Sequence, residues 1–368
     1  MPIHKNSSQN TVHKISIVPT WSFRDDQGRT LDPQLFILLR HIEQDKKLTS
    51  AAAKVGISYR HAWNQLNKWA DFFGTPLVEL EKGRGARLTQ LGEKLLWAEK
   101  RVIARLEPQL DNITSELNIE LSRLLEGSRP ALRLHASHGY AVELLPRFSR
   151  GFDLDLQYRQ GQEALAAMGR DQCDIAGFHL PVDAISDEML GWIEKLLKPR
   201  AHRVIRFITR RQGLMIKPGN PPAIRGLEDL CRKDVRFINR EQGSGTRKLL
   251  EELLRRARLD SEECRDALDN CGIEFTHSAV AAHVAAGMAD IGFGVQAAAA
   301  QFGLEFIPLA QERYLLACHQ RTLELPAMQT LLATLQGSEF REAVDALPGY
   351  DGSDCGELIG LDQLFGNS

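Results

Sequence analysis

The sequence predicts an α+β amino-terminal domain, a long connecting helix and an α/β carboxy-terminal domain. Three observations predict this order. In the first 90 residues, apolar residues recur at helical spacing over short segments, and a stripe of Leu, Val and Ile follows over 91–127. After Ala131, strands alternate with helices. A chain of 368 residues also exceeds the length that one ordinary core supports. We therefore expect domains at 1–90 and 131–368, joined by a linker helix at 91–127.

Composition separates the two domains by charge. The chain is 43% hydrophobic and 26% charged, which is typical of a globular protein, and its net charge is -2. Residues 34–105, however, carry a net charge of +6, so the remainder carries -8. The amino terminus lacks the apolar segment of a signal peptide, and no apolar run approaches the roughly 18 residues of a membrane span. We expect a cytoplasmic protein without membrane contact.

Six cysteines are scattered along the chain without a C-x-x-C pair. This spacing argues against a zinc site and against a disulfide framework, and it suits a reducing compartment. Cys264 and Cys271 could meet across a helical turn, but we expect two buried free thiols.

The first ninety residues contain a series of short elements. Residues 13–30 alternate apolar and polar side chains and predict a β-hairpin. Helices are expected over 33–47 and Thr49–Val55, and a third helix begins at Ser58 after a turn at Gly56. Two strands with a glycine-rich loop between them follow, before a helix that opens at Thr89.

Two short helices around a glycine turn indicate a helix-turn-helix. Ala52 and Ala53 are small where the helices cross, and Trp63 is expected in the core. The third helix would place its amino-terminal part in the major groove, and the segment ELEKGRGARLT would form a basic wing beside it. The DNA-facing candidates are Ser50, Lys54, Ser58, Tyr59, Arg60, Asn64, Lys68, Lys82, Arg84 and Arg87. A helical hairpin with a solvated basic face is the alternative.

The long helix carries an apolar stripe close to a coiled-coil pattern. Pro108 should kink or restart this helix, and the segment GSRP after it resembles a linker. The stripe predicts a dimerisation helix. Its members are Leu95, Val102, Leu106, Leu110, Ile113, Leu117, Leu121 and Leu124.

At this point the sequence resembles a known family. The segments LLRHIEQDKKLTSAAAKVGISYRHAWNQLNKW and LVELEKGRGARLTQLGEKLL are similar to the DNA-binding domain of ModE regulators, and also to LysR-type regulators. The resemblance covers about residues 14–105. It implies a winged helix-turn-helix in a dimer that binds an inverted-repeat operator.

In the carboxy-terminal domain, four segments share one pattern, in which a strand ends in small polar residues that usually open a helix. Helix amino termini bind anions readily, because their N–H groups lack intrahelical partners and the helix dipole is positive there. The pattern therefore predicts an anion site, although each loop alone could be an ordinary capped helix. The ligand candidates are Ser137, His138, Gly177, His179, Gly243, Ser244, Gly245, Thr246, Arg247, Thr276 and His277.

Nucleotide hydrolysis and a metal site are not predicted. The P-loop pattern G-x-x-x-x-G-K-[ST] is absent, and no cysteine is placed to bind a soft metal ion. We expect no catalytic residues, no metal and no cofactor other than a small-anion effector.

The same domain resembles the periplasmic-binding-protein-like domain of molybdate-related regulators. The segments LHASHG, DIAGFHLP, NREQGSGTRKLLEELL, THSAVAAHVAAGMADIGFGVQAAA and ERYLLACH carry this resemblance, over roughly 131–320. It implies a two-lobed (type II) α/β domain with hinge strands near Val204–Met215 and Leu304–Cys318, and a ligand between the lobes. The family usually binds molybdate or tungstate. The standard ModE sensor is a different, β-rich domain, so a small carboxylate such as formate stays open.

Together these observations predict a non-enzymatic, ligand-responsive transcription regulator. Its expected partners are double-stranded DNA, a small anion and further copies of itself, as a dimer through the linker helix or as a tetramer. Two alternatives remain: an enzyme of oxyanion or molybdenum-cofactor metabolism with an accessory helix-turn-helix, and an anion-storage protein.

Overall fold

The computed structural model describes residues 14–81, 85–126, 129–183, 185–259, 261–269 and 271–364. The chain divides into two compact units. The smaller holds Val18–Arg105 with Ala286–Met288, and the larger holds the described residues before Val18 and most of those after Arg105.

The smaller unit is a three-helix arrangement with a two-stranded wing. Its elements are α1 (Gln34–Asp45), α2 (Leu48–Val55), α3 (Tyr59–Phe73), β1 (Val78–Glu81), β2 (Gly85–Leu88) and the first part of α4 (Gln90–Glu126). Its core consists of apolar side chains from all three short helices, including Leu38, Ala51 and Trp69. Strands β1 and β2 pair antiparallel, which confirms the predicted wing strands.

Local chemistry explains where α2 ends and α3 begins. Gly56 has a φ of 75°, a left-handed conformation that few other residues adopt at low cost. The hydroxyl of Ser58 accepts a hydrogen bond from the backbone N–H of His61 at 3.1 Å and caps α3. Ala51 and Ala52 are buried at the helix crossing, whereas Ala53 is exposed, so its predicted role there is wrong.

The predicted hairpin over 13–30 is largely wrong. Within the described part of this segment, a single bridge between Arg24 and Thr30 closes the turn at Asp25–Gly28. Residues 14–17 instead lie along α4, where the backbone N–H and C=O of Ile15 bond with the Asn118 side-chain amide. The alternating pattern does not produce a strand pair here, because the backbone N–H and C=O of Ile15 form hydrogen bonds with a side chain and not with a second strand.

Helix α4 runs through Pro108 without a break, so the predicted restart there is wrong. The missing N–H of proline removes one intrahelical bond, and the turns on both sides keep the remaining ones. Several members of its apolar stripe are exposed within one chain, among them Val102, Ile113 and Leu117.

The larger unit alternates strands and helices. In chain order it contains β3 (Ala131–Ala136), α5 (Leu145–Phe148), β4 (Asp153–Tyr158), α6 (Gly161–Met168), β5 (Ile175–Pro181), α7 (Asp187–Leu196), β6 (His202–Ile216), β7 (Phe237–Arg240), α8 (Gly245–Arg256), α9 (Glu262–Asp269), β8 (Gly272–Glu274), α10 (His277–Ala285), β9 (Ile291–Val295), α11 (Gln296–Gln301), β10 (Glu305–His319), α12 (Pro326–Gln336), α13 (Ser338–Asp345), β11 (Tyr350–Asp351) and β12 (Leu358–Ile359).

Two long antiparallel strands, β6 and β10, join two lobes of this unit. The strand order is β4-β3-β5-β10-β6-β9-β7-β8. Strands β3, β4 and β5 are parallel in the first lobe, and β7, β8 and β9 are parallel in the second. Separate apolar cores cover the sheet in each lobe. The positions of β6 and β10 confirm the predicted hinge crossings.

Cysteine pairing departs from the prediction. Cys231 and Cys264 form a disulfide across 33 residues, with their Cα atoms 4.5 Å apart, and Cys271 is only partly buried. The 3-10 helix Leu227–Cys231 packs against α9 and brings the two thiols together, which spacing in the sequence could not reveal. Across the described ranges, no helix is long and apolar enough to cross a membrane.

Candidate anion-binding cleft and nucleic-acid interface

The hinge strands contribute a buried ion pair at the level of the cleft. Arg210 on β6 donates from Nε and Nη2 to Oε2 of Glu312 on β10, at 2.8 and 2.7 Å. Gln212 donates to the same oxygen at 2.7 Å. Arg210 and Glu312 are 3% and 2% exposed, so their charges offset each other away from water.

The first lobe contributes two imidazoles. His138 follows β3, and its ring lies 4.7 Å from the Tyr158 ring. The His179 ring lies 3.8 Å from the Tyr314 ring at an interplanar angle of 40°, and its Nδ1 lies 3.5 Å from Oε2 of Glu312. Ser137 lies beside them, since its carbonyl accepts a hydrogen bond from the Tyr314 hydroxyl.

The prediction that Gly177 and His179 lie in a loop after a strand is wrong. Both lie inside β5, which continues because it pairs with β10: Gly177 opposite Leu316 and His179 opposite Tyr314. A Cβ at Gly177 would lie 2.8 Å from the Tyr314 ring. Glycine therefore makes room for the tyrosine ring that His179 contacts.

The second lobe contributes two adjacent helix amino termini. Ser244 caps α8 by accepting from the Arg247 N–H, and Thr276 caps α10 by accepting from the Ala279 N–H. The Thr246 hydroxyl lies 3.5 Å from Nε2 of His277, so the two termini meet. Gly243 and Gly245 flank the α8 cap.

Arg247 differs from its predicted role. Its Nε donates to Glu251 on the same helix at 2.8 Å, and its side chain is 5% exposed. Arg240, at the end of β7, lies nearer the imidazoles, and its Nη2 donates to the Phe275 carbonyl at 2.8 Å. Within the described chain, Nε and Nη1 of Arg240 have no hydrogen-bond partner.

Together with burial, the two arginines, Arg210 and Arg240, lower the pKa values of the three histidines around them. Burial first, and then the charge of Arg240, lower the pKa of His138 to about 4. Burial and the charge of Arg210 lower the pKa of His179 to about 3. The pKa of His277 lies well below its usual value because of burial and the charges of Arg240 and Arg210. Burial lowers the pKa of Arg240 to about 10, although the group stays charged at neutral pH.

These pKa directions leave three neutral imidazoles next to two guanidinium groups. Nε2 of His138, Nδ1 of His179 and Nδ1 of His277 are buried without hydrogen-bond partners among the described residues. Buried polar atoms of this kind usually have a partner. We name Arg210, Arg240, His138, His179 and His277 the basic cluster.

Side chains also connect the two lobes beside the basic cluster. The Tyr140 hydroxyl of the first lobe donates to Oε1 of Gln301 at 2.5 Å and lies 2.9 Å from the Ser278 hydroxyl. Gln160 donates to Glu241 at 3.3 Å. The sequence analysis missed Arg210, Arg240 and these cross-lobe pairs, because packing between segments that are distant in the chain brings them to the cleft. Ser244 with His277 is the conceivable nucleophile–base pair of the enzyme alternative, but the hydroxyl 3.5 Å from Nε2 of His277 is that of Thr246.

The face of α3 that points away from the core forms the candidate nucleic-acid interface. Ala62, Leu66 and Trp69 are buried as predicted. The side chains of Tyr59, Arg60, Asn64, Asn67 and Lys68 are exposed. Trp63 is 41% exposed, so the expectation of a core position is wrong; it lies one helical turn from the exposed Tyr59.

Other predicted DNA contacts have partners within the unit. Lys54 and Ser50 both bond to the Asp45 carboxylate at 2.6 Å, and Arg87 pairs with Glu79 across the wing at 2.7 Å. Lys82 and Arg84 lie outside the described residues.

Residues 142–336 match the PBP superfamily domain. The chain belongs to the PBP superfamily. Residues 34–93 of this PBP superfamily member match the bacterial regulatory helix-turn-helix proteins of the lysR family. The two matches confirm the resemblance and the fold class predicted from sequence.

Three curated relatives are similar to parts of the chain. YvgK of Bacillus subtilis (strain 168) is an uncharacterised protein, 31% identical over 55% of this chain and 64% of its own length. The molybdenum-pterin-binding protein MopB of Rhodobacter capsulatus and the transcriptional regulator ModE of Yersinia pestis are each 28% identical over 32% of this chain, and over 44% and 46% of their own lengths. The chain thus spans less than two thirds of each.

Among solved structures, OxyR of Corynebacterium glutamicum with bound H2O2 is similar over 85% of this chain and 93% of its own. The sequence identity is 18% and the TM-score is 0.43.

Proposed function

We propose that this protein is a cytoplasmic transcription regulator that binds operator DNA through α3 and the wing, and that responds to a small oxyanion held by the basic cluster. Molybdate and tungstate are the preferred candidates, with a small carboxylate such as formate as the alternative. The observation that carries the proposal is the convergence of two arginines and three histidines, from both lobes and the hinge, in a chain that also contains a helix-turn-helix.

Two further points support this function. The names of MopB and ModE connect similar sequences with molybdenum binding and with transcription. The exposed apolar side chains of α4 suit a dimer, which would present two α3 helices to an inverted repeat.

The effector is tested with the full chain and molybdate, tungstate or formate. Thermal unfolding should shift upward with at least one of them, because a ligand that binds only the native state stabilises it. Affinity for an operator selected from genomic fragments should change by about 5- to 150-fold in the same solution. If none of the three anions alters either quantity, the proposed effector class is wrong.

A substitution on α3 tests the DNA-binding assignment. Arg60→Ala should weaken binding to the selected operator by about 1–3 kcal/mol, and weaken binding to random DNA far less, because a base contact carries sequence information. Fluorescence anisotropy at fixed salt measures both affinities.

Arg24→Ala is the matched control, because it removes the same charge from an exposed site of the same unit that is not part of α3. Equal losses in Arg60→Ala and Arg24→Ala would show that α3 does not read the bases.

A further inference from the structure

The fixed positive charge of the cleft is small. Glu312 accepts two bonds from Arg210, so this pair contributes no net charge. Of the two arginines in the basic cluster, Arg240 is the one without a carboxylate within ion-pair distance among the described residues, although Glu241 and Glu274 lie near enough to act against the fall in its pKa. At most one full positive charge is therefore available to offset an anion.

The remaining donors are imidazoles, which can add charge by taking up protons. The groups that face His277 come from each element around it: Arg240 on β7, Arg210 on β6, His179 on β5 and His138 after β3. Thr246 on α8 and Gly294 on β9 also lie beside the His277 ring and carry no charge. Glu312 faces His179, and Glu143 lies 3.3 Å from His138.

The charge of the ligand decides what these imidazoles do. A monoanion such as formate balances the single guanidinium charge of Arg240. A doubly charged tetrahedral oxyanion leaves one negative charge without compensation in a buried site, which is costly. That charge would attract a proton to an imidazole whose buried nitrogen has no partner, and would turn this nitrogen into a charged donor.

We propose that the cleft selects a doubly charged tetrahedral oxyanion and binds it together with one proton, which the imidazoles of His138, His179 and His277 take from solvent. The proton is shared among these coupled groups. This inference rests on the proposed anion-binding function and specifies the charge class of its ligand. The bound dianion, the Arg240 guanidinium and one imidazolium then form a neutral assembly.

Titration calorimetry of the full chain measures the proton directly. Sodium molybdate, tungstate and formate are titrated at pH 7.5 in three buffers of different ionisation enthalpy, without phosphate and at one ionic strength. The observed enthalpy should vary with buffer ionisation enthalpy for molybdate or tungstate, with a slope equivalent to uptake of about one proton. Formate, if it binds, should show a slope near zero.

The pH dependence of affinity provides a second measurement that requires no variant. The Kd of the dianion should rise about tenfold between pH 7 and pH 8, because one proton is bound with it. His179→Gln and His277→Gln should each reduce the proton uptake, and the exposed His61→Gln on α3 should leave it unchanged. The wild-type pH series stands alone if a variant fails to fold.

The outcomes separate the two levels of the proposal. Dianion binding without proton uptake, or binding of formate alone, overturns this inference and leaves an anion sensor. Absence of heat and of a thermal shift with all three anions overturns the proposed effector site, and this inference with it.

Discussion

At the scale of single residues, Arg240 has the most unusual environment in the described cleft. A guanidinium group has five N–H donors, and burial without an ion-pair partner is expensive. Among the described residues, Nη2 of Arg240 donates to the Phe275 carbonyl, whereas its Nε and Nη1 are buried without a hydrogen-bond partner. Such an arrangement costs stability in the free protein, and an anion would relieve that cost.

Arg240→Gln should therefore separate ligand response from stability. Anion affinity should fall about 30-fold or more, equivalent to about 2 kcal/mol, because the uncompensated charge is lost. The unfolding temperature without anion should stay the same or rise, because a buried charge is removed. Thermal unfolding with and without molybdate or tungstate measures both.

Arg225→Gln is the control, since Arg225 is exposed in the same lobe. An anion-induced shift of wild-type size in Arg240→Gln would exclude Arg240 from the site.

At the scale of elements, the second part of α4 takes the place of a neighbouring strand for β4. Strand β4 lies at the edge of the sheet, and an edge strand has N–H and C=O groups without ladder partners. Asn112 Oδ1 accepts from the Tyr158 N–H at 2.6 Å, and Ser115 Oγ accepts from the Leu156 N–H at 2.9 Å. The helix that leads to the DNA-binding unit is thus attached to the first lobe by side-chain hydrogen bonds.

This attachment lies close to the basic cluster. The ring of Tyr158 contacts His138, and its backbone N–H binds Asn112, so one residue connects the cleft with α4. On the same side, burial and the charges of Glu107 and Asp111 raise the pKa of Glu143 to about 8, and burial and the charge of Asp111 raise the pKa of Glu107. A change in charge at His138 therefore acts on a region where carboxyl groups of α4, Glu107 and Asp111, already interact with Glu143 of the first lobe.

Asn112→Ala should loosen α4 from β4. The amide of Tyr158 should exchange about tenfold faster, because its N–H loses the Asn112 acceptor at a cost of about 1–3 kcal/mol. Hydrogen exchange followed by mass spectrometry of the β4 peptide measures this. The exposed neighbour Glu116→Gln serves as control; equal exchange in both variants would mean that the Asn112 bond contributes nothing.

At the scale of the whole molecule, folding buries histidines that are exposed in the unfolded chain. Their pKa values are lower in the folded state than in the unfolded state. Below the ordinary histidine pKa of about 6.5, the unfolded chain therefore binds more protons, and the free energy of unfolding falls as the pH falls. Glu143 acts in the opposite direction, because its pKa is raised in the folded state.

His179→Gln isolates one histidine from these opposing effects. Because folding lowers the pKa of His179 to about 3, the residue should contribute on the order of 2 kcal/mol to the stability lost between pH 7 and pH 5. The variant should lose correspondingly less stability over this interval. Urea unfolding at both pH values measures the difference.

His61→Gln, at an exposed position of α3, should keep the wild-type pH dependence. An unchanged pH dependence in His179→Gln would mean that His179 titrates normally in the folded protein.

The sequence by itself determined the elements whose signals are local. Gly56 marks the end of α2 and Ser58 the start of α3. The glycine-rich segment marks the wing, and alternating strands and helices mark the α/β domain with both hinge strands. Their causes are backbone conformation, capping and hydrophobic periodicity, which act within a few residues. The same signals correctly located the strand ends that approach the cleft at Ser137 and Ser244.

Only the tertiary structure decided which side chains meet. Arg210 and Glu312 are 102 residues apart in the chain, and Arg240 reaches the imidazoles only through the parallel pairing of β7 with β8 and β9. The Cys231–Cys264 bond and the position of His179 inside β5 have the same origin. A local pattern cannot contain these contacts, because strand register and packing between distant segments set the distances at which charges act on one another.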